Sequence, residues 1–390
     1  MITAVMPAAV ALAQNAAKPA AEEVYVLGEF RVNTTKDDSF IATESASGTR
    51  VATDIINLPF SISVLGCAFE KWQNGTRLDL SLNVNGFCLL DFGGRHYWYG
   101  AHKIAGKTEA EKNEAGVRCY VSDDLLNWQN AGLVLDVFAP GAPADLADAA
   151  ILDRPKVIYH SATKKFFLYF KLYPPKSQGG KTGTDYAYVG VATATEPTGP
   201  FHYQGRFLGG NSRFGTGDFT IFADVDGSVY HLGVRKPDKV HVCGRLSDDG
   251  LRPAGDYVEL AGITLKTEAP ALFRRGNKIY FLGPDSSGWA PNTARMFVAD
   301  RVTGPYQQLG NPVRGVNPHN NLGPEKTFGG QSTFVYPVTG RRDAWIAMFD
   351  INQPQDPITS GYIWLPIEFD GDRPVIRWRD QWDLSVFSAK

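Results

Sequence analysis

Apolar and polar positions along this chain fall into one motif, repeated five times: a polar side chain, a short apolar run, a turn, and an aromatic-rich run. Asn85 precedes Phe87-Cys88-Leu89-Leu90, the turn Gly93-Gly94 and His96-Tyr97-Trp98-Tyr99. Asp153 precedes Lys156-Val157-Ile158-Tyr159, a turn from Ser161 to Lys165 and Phe166-Phe167-Leu168-Tyr169-Phe170. Asp218 precedes Phe219-Thr220-Ile221-Phe222, Asp226-Gly227 and Val229-Tyr230-His231-Leu232. Glu268 precedes Ala271-Leu272-Phe273, Gly276-Asn277 and Ile279-Tyr280-Phe281-Leu282. Gln331 precedes Ser332-Thr333-Phe334-Val335-Tyr336, a turn at Gly340 and Trp345-Ile346-Ala347-Met348-Phe349. Short apolar runs with Gly, Asn and Asp at the reversals predict β-hairpins. The turns at 94, 164, 227, 276 and 340 are 70, 63, 49 and 64 residues apart. Repeats of that length predict an all-β fold, a five-bladed β-propeller of four-stranded blades. Inner strands line a propeller's channel, so the five polar openers are expected to meet at one mouth.

The linking segments carry an echo of their own. Glu196-Pro197-Thr198-Gly199-Pro200-Phe201 returns as Arg301-Val302-Thr303-Gly304-Pro305-Tyr306, and each Gly-Pro turn is expected to start the outer strand of a blade. Tyr362–Ile367 and Val375–Trp378 supply outer strands for the last blade. The polar spans Pro174–Asp185 and Asn317–Thr327 read as surface loops beside the mouth.

The first 66 residues differ in kind. Residues 1–22 carry an apolar stretch ending in Ala11-Leu12-Ala13, as in a secretory signal without its basic start, so the protein is expected to be exported to the periplasm or beyond in a Gram-negative cell. Residues 23–66, with Val24-Tyr25-Val26-Leu27-Gly28-Glu29-Phe30 and Ile56-Asn57-Leu58-Pro59-Phe60-Ser61-Ile62, resemble the start of the plug of TonB-dependent receptors. No barrel strands follow at the spacing a receptor needs. The segment is expected to be a poorly ordered extension whose deletion leaves thermal stability nearly unchanged, with the propeller at 67–390.

Composition narrows the function. The net charge is −2 with 21% charged residues, which gives no basic face for nucleic acid. No apolar run reaches the roughly 18 residues of a membrane-spanning helix. The four cysteines Cys67, Cys88, Cys119 and Cys243 show no CxxC, so a zinc site is not expected; buried thiols and disulfides both remain open. Aromatics make up 12% of the chain, which suits either many short strands or a sugar-binding surface. The expected partner is a polysaccharide or oligosaccharide bound by a monomer, with no metal or cofactor.

The chain from about residue 71 resembles glycoside hydrolase family 43, and within it the branch of exo-β-1,3-galactanases. The likeness rests on Tyr97-Trp98-Tyr99-Gly100, Gly116-Val117-Arg118-Cys119-Tyr120, Asp153-Arg154-Pro155-Lys156-Val157, Thr267-Glu268-Ala269-Pro270-Ala271, Ser287-Gly288-Trp289-Ala290-Pro291-Asn292 and Phe328-Gly329-Gly330-Gln331-Ser332-Thr333. The resemblance implies a five-bladed propeller and an inverting glycosidase. An inverting enzyme needs a protonated acid at the leaving oxygen and a group that activates water on the opposite face. The resemblance gives the acid to Glu268 and its pKa-modulating carboxylate to Asp218. The first blade opens with Asn85, which cannot act as the base. Gln331 matches the branch's water-positioning glutamine, by orientation or by a tautomeric relay. Asp153 stands where the branch has Glu, and Ala101 where it has a second Glu; both positions are expected to hold sugar hydroxyls. Trp289 is expected either to stack on a sugar or to pack between blades. Tyr186, Asn292, Asn85 and Tyr99 are further sugar-contact candidates. The alternatives are an α-L-arabinofuranosidase or β-xylosidase of the same family, a non-catalytic sugar-binding propeller, and a receptor fragment.

Overall fold

The computed structural model describes residues 85–104, 106, 114–146, 151–173, 186–263 and 266–387, together with two-residue strands at Glu44–Ser45, Thr53–Asp54, Ile62–Ser63, Trp72–Gln73 and Thr76–Arg77. The signal-like segment lies outside these residues. So does the plug-like segment apart from three of the short strands, and so do the loop 174–185 and Cys67. The chain divides into two units, Met1–Pro59 with Lys71–Ser81, and Phe60–Glu70 with Leu82–Lys390. The first is described only by two antiparallel strand pairs, 44–45 with 53–54 and 72–73 with 76–77.

The second unit is all-β: five sheets, each built from consecutive strands, arranged as a five-bladed propeller. Blade I comprises Asn85–Phe92, Arg95–Lys103, Glu114–Ser122 and Asn127–Asp136. Blade II comprises Ile151–His160, Lys165–Tyr173, Tyr188–Ala194 and His202–Phe207. Blade III comprises Thr216–Ala223, Val229–Arg235, His241–Arg245 and Val258–Glu259; blade IV comprises Ala271–Arg275, Lys278–Pro284, Ala294–Ala299 and Gln307–Gly310. Blade V comprises Gln331–Pro337, Trp345–Ile351, Gly361–Asp370 and Arg373–Arg377, edged by Val313–Arg314 in parallel. The five hairpins foreseen in the sequence are the two inner strands of these blades. The echoed Gly-Pro turns stand just before the outer strands of blades II and IV. There Phe201 N donates to Val134 O and Tyr306 N to Ala261 O, both at 2.7 Å, tying each turn to the preceding blade.

Second strands read as continuous apolar runs because both of their faces are covered. Phe166, Leu168 and Phe170 of blade II pack toward Tyr97, Tyr99 and Cys119 of blade I. Phe167 and Tyr169, on the other face, pack with Phe219 and Ile221 of blade III. Each such fully buried side chain contributes about 1.5–3 kcal/mol. Among the described residues no strand is exchanged between the first and last blades. Aromatic rings fill that seam instead: Trp98 meets Tyr362 at 5.0 Å and Trp364 at 4.7 Å, and Phe87 meets Tyr362 at 5.5 Å between centroids. Cys88, Cys119 and Cys243 are free and buried.

Blade I gains a further outer strand, because Ile62 pairs with Trp128 and Ser63 with Asn127. The expected indifference to deletion of residues 1–66 therefore has a specific exception. A chain starting at residue 60 is expected to melt about 1–2 °C above one starting at residue 67, since a lost edge strand is worth about 1 kcal/mol or less. Equal melting temperatures in calorimetry would show that the pairing contributes nothing.

Candidate active site

Each blade brings its opener to the mouth by the same device. Followed back from the turn, the ladder between the first and second strands is regular until the inner strand gains one residue. The extra residue falls between Asn85 and Cys88, Asp153 and Lys156, Thr216 and Phe219, and Ser332 and Phe334. In blade IV the same offset separates the ladder that begins at Ala271–Leu282 from the bridge Thr267–Asp285. Pro155 and Pro270 stand inside two of these bulges, where a missing N–H is tolerated. Arg154 and Ala269, at φ 50° and 47°, take left-handed backbone beside the site residues Asp153 and Glu268. Gly86, at φ 62°, lets blade I approach blade II: a Cβ there would lie 2.8 Å from Asp153 Oδ1. The offset also decides what stands across from each opener. Asn85 faces Ala101, Asp153 faces Lys171, and Gln331 faces Asp350.

Arg154 is the hub of the cluster that results, and it is 3% exposed. Its Nε lies 3.0 Å from Asp218 Oδ1, and its Nη2 donates to Gln331 Oε1 at 2.5 Å. Its guanidinium lies 5.0 Å from the centre of the Trp289 ring. Lys171 Nζ bridges Asp153 Oδ2 at 3.0 Å and Asp218 Oδ1 at 2.9 Å. Burial alone would raise the Asp218 carboxyl, but Arg154 and Lys171 outweigh it and hold the group well below the carboxylate range. Burial is likewise overcome at Asp153, where Lys171 and Arg154 bring the pKa down to about 2.

Glu268 has the opposite surroundings. Its Oε2 accepts from Ser286 Oγ at 3.1 Å, and its Oε1 from Ser287 N at 3.2 Å and Gln331 Nε2 at 3.1 Å. None of these groups is charged. Burial, reinforced by the negative Asp218, raises its pKa above that of an ordinary glutamate. One carboxyl is thus kept anionic and its neighbour is biased toward protonation, the division of labour that acid catalysis requires. Asp218 and Glu268 line one cleft of about 470 Å³, with Tyr173, Phe214, Lys236 and Lys239 on its walls.

The other expected contacts fare unevenly. Tyr99 is fully buried in blade I and its hydroxyl donates to Pro197 O at 2.7 Å, so it braces the core and cannot touch a sugar. Asn292 holds the loop that carries Trp289. Its Nδ2 donates to Asp285 O at 2.5 Å and to Ser287 Oγ, and its Oδ1 accepts from Asp285 N at 2.9 Å, which leaves little for a ligand. Trp289 is half-buried and covers Arg154 rather than packing between blades. Tyr186 lies against Phe214, 5.8 Å between centroids, at the edge of the cleft. The backbone of Asn85 opens its strand as expected, but its side chain lies outside the described residues. Ala101 is fully buried. The loop 317–327 is tied to blade IV where Thr327 Oγ1 donates to Asn292 O at 2.6 Å.

Three groups went unassigned in the sequence: Arg154, Lys171 and Asp350. Asp350 is 1% exposed; its Oδ2 accepts from Gly86 N at 2.9 Å, and its Oδ1 has no partner among the described residues. Burial raises its pKa to about 7 against the lowering pull of Arg154. A raised carboxyl is protonated more readily in the folded chain, so stability falls as pH climbs from about 4 to about 7. Asp350→Asn, a neutral mimic, is expected to be close to wild type in stability at pH 4 and more stable than it at pH 8, by up to roughly 4 kcal/mol. A difference that does not change with pH would remove Asp350 from this account.

Residues 90–370 match Glycosyl hydrolases family 43. No curated protein sequence matches the chain. Among solved structures, a β-1,3-galactosidase of that family with galactodeoxynojirimycin is 28% identical at a TM-score of 0.68, over 78% of this chain and 96% of that one. A second β-1,3-galactosidase of the family is 30% identical at 0.69, over 85% of this chain and 65% of that one. An exo-β-1,3-galactanase from Phanerochaete chrysosporium with β-1,3-galactotriose is 25% identical at 0.66, over 85% and 71%.

Proposed function

We propose that this chain, which belongs to glycoside hydrolase family 43 and so hydrolyses O-glycosyl bonds, removes galactose with inversion from the ends of β-1,3-galactan chains. The observation that carries the reading is the meeting of Glu268 with Gln331 beside a cluster that keeps Asp218 ionised. Glu268 donates its proton to the glycosidic oxygen. The sugar enters between Glu268 and Gln331 and replaces their 3.1 Å contact. Gln331, its Oε1 fixed by Arg154, then orients water on the far side of the ring. An amide is a weak base, so its part is to position the water. Asp153 and Trp289 stand beside this centre as sugar contacts. The galactan preference is supported by the likeness to β-1,3-galactosidases and a galactanase.

The test is hydrolysis of β-1,3-galactotriose against aryl α-L-arabinofuranosides and β-xylosides, with the first-formed anomer read by proton NMR. Release of galactose as the inverted anomer is expected. Turnover confined to the arabinoside or xyloside would replace the galactan reading, and binding without turnover would favour a sugar-binding propeller.

Asp218→Asn is expected to move the alkaline limb of kcat/KM to lower pH. Rate requires protonated Glu268, and losing a negative neighbour lowers the pKa of that acid. An unmoved limb, or one displaced upward, would contradict the assigned role.

A further inference from the structure

The backbone that carries Glu268 is held from three blades. Within blade IV, Glu268 N donates to Pro284 O at 3.1 Å, and Glu268 O packs against Gly283, where a Cβ would come within 2.9 Å of it. From blade V, Ser332 Oγ donates to Ala269 O at 3.0 Å. From blade III, His241 reaches Thr267: its Nε2 lies 2.9 Å from Thr267 O and 2.6 Å from Thr267 Oγ1. Thr267, Ala269, Ser332 and His241 are all buried.

A carbonyl oxygen only accepts, so the imidazole hydrogen is on Nε2 and points at the two oxygens of Thr267. Nδ1 keeps a lone pair, which has no partner among the described residues. A second proton there would make a buried N–H with nothing to meet. Burial accordingly lowers the His241 pKa to about 4, against the raising pull of Thr267 and Asp218, and the ring stays neutral. The imidazole stands edge-on to Phe281, 5.0 Å between centroids at 88°, which fixes its plane. Its backbone belongs to the third strand of blade III, His241–Arg245, and is paired there with Val234. Packing alone needs no donor, since an apolar ring would fill the same space. This donor is aimed at the residue before Glu268, on backbone that turns left-handed at Ala269.

We propose that His241 is a positioning residue for the reaction: it fixes Thr267 so that the Glu268 carboxyl meets the glycosidic oxygen. The role rests on Glu268 being the acid. His241 reaches the substrate only through Glu268, so its loss should weaken protonation of the leaving group and leave sugar binding and the attack of water alone.

The experiment compares His241→Phe and wild type on β-1,3-galactotriose and on 2,4-dinitrophenyl β-galactoside, whose leaving group needs little protonation. On the trisaccharide kcat should fall roughly 10- to 100-fold with KM nearly unchanged, and on the aryl galactoside about threefold or less. His241→Gln, whose amide can place an N–H near the same point, should recover most of the loss. In a Glu268→Gln background His241→Phe should cost nothing further on the trisaccharide. Equal losses on both substrates, no loss on either, or a full further loss in that background would overturn the role. Full activity in Glu268→Gln alone would end the acid assignment and this role with it. Lost activity there, with no effect of His241→Phe, would end only the role of His241. Should His241→Phe not fold, His241→Leu is read in its place; if neither folds, His241 is a core residue and the proposal falls. If wild type cleaves neither substrate, the galactan reading fails by itself. Hydrogen exchange of the peptide spanning 267–271 then decides: faster exchange in His241→Phe, with the other inner strands unmoved, sustains the hold on this segment, and equal exchange ends it.

Discussion

Glu268→Gln is expected to lower kcat on β-1,3-galacto-oligosaccharides by roughly 10³-fold, the scale of a lost general acid. The amide matches the carboxyl in size and can still meet Ser286 and Gln331, so fold and sugar affinity should survive. What it lacks is a transferable proton. Substrates with very good leaving groups need little protonation and should lose much less, so the ratio of the two effects is the informative quantity. Equal turnover by variant and wild type on the natural linkage would end the assignment. A loss of equal size on both substrate types would point to a broken site rather than a missing proton.

Arg154→Leu is expected to cost about 3–5 kcal/mol of stability, the usual penalty for removing one partner of a buried ion cluster, and to abolish activity. The substitution takes a counter-charge from Asp218 and a donor from Gln331, and it uncovers the inner face of Trp289. Both residue types carry a Cβ, so the left-handed backbone at this position is equally strained before and after. A pH dependence separates this cluster from simple packing. Asp153 and Asp218 have depressed pKa values when folded, so their contribution is present above about pH 4 and is lost as pH falls through about 2. The gap between wild type and Arg154→Leu in guanidinium unfolding should therefore narrow below pH 4. A gap that stays constant down to pH 2 would mean that the lost stability is apolar. Arg154→Lys keeps the charge but cannot reach Asp218 and Gln331 together, so it should rescue part of the stability and little of the activity.

The sequence already contained the five hairpins, because alternation and turn residues are local signals. It also placed Glu268, Asp218, Gln331 and Asp153 at the heads of inner strands, since a lone polar residue before an apolar run stands out. Their partners were hidden by the bulges. A regular ladder drawn back from the turn in blade II sets Asp153 opposite Leu172, and in blade V sets Gln331 opposite Ile351. The extra residue brings Lys171 and Asp350 there instead. A one-residue shift turns a strand's faces over, so alternation counted back from the turn does not bring these two charges to the openers. A visible cue was nonetheless present: each is the one charge inside a long apolar run of a second strand, residues 166–173 or 345–351. Tyr99 misled for the converse reason. Its neighbours in sequence belong to a family motif, but that motif is made of core.

The offset at the head of every inner strand also bears on how such a protein changes over generations. Beyond the bulge the ladders run regularly to the turn, and there the buried aromatics hold the blades together. Before it, each blade contributes one or two side chains whose replacement disturbs no ladder. Selection can therefore revise the mouth one blade at a time while the rest of the strand is inherited unaltered.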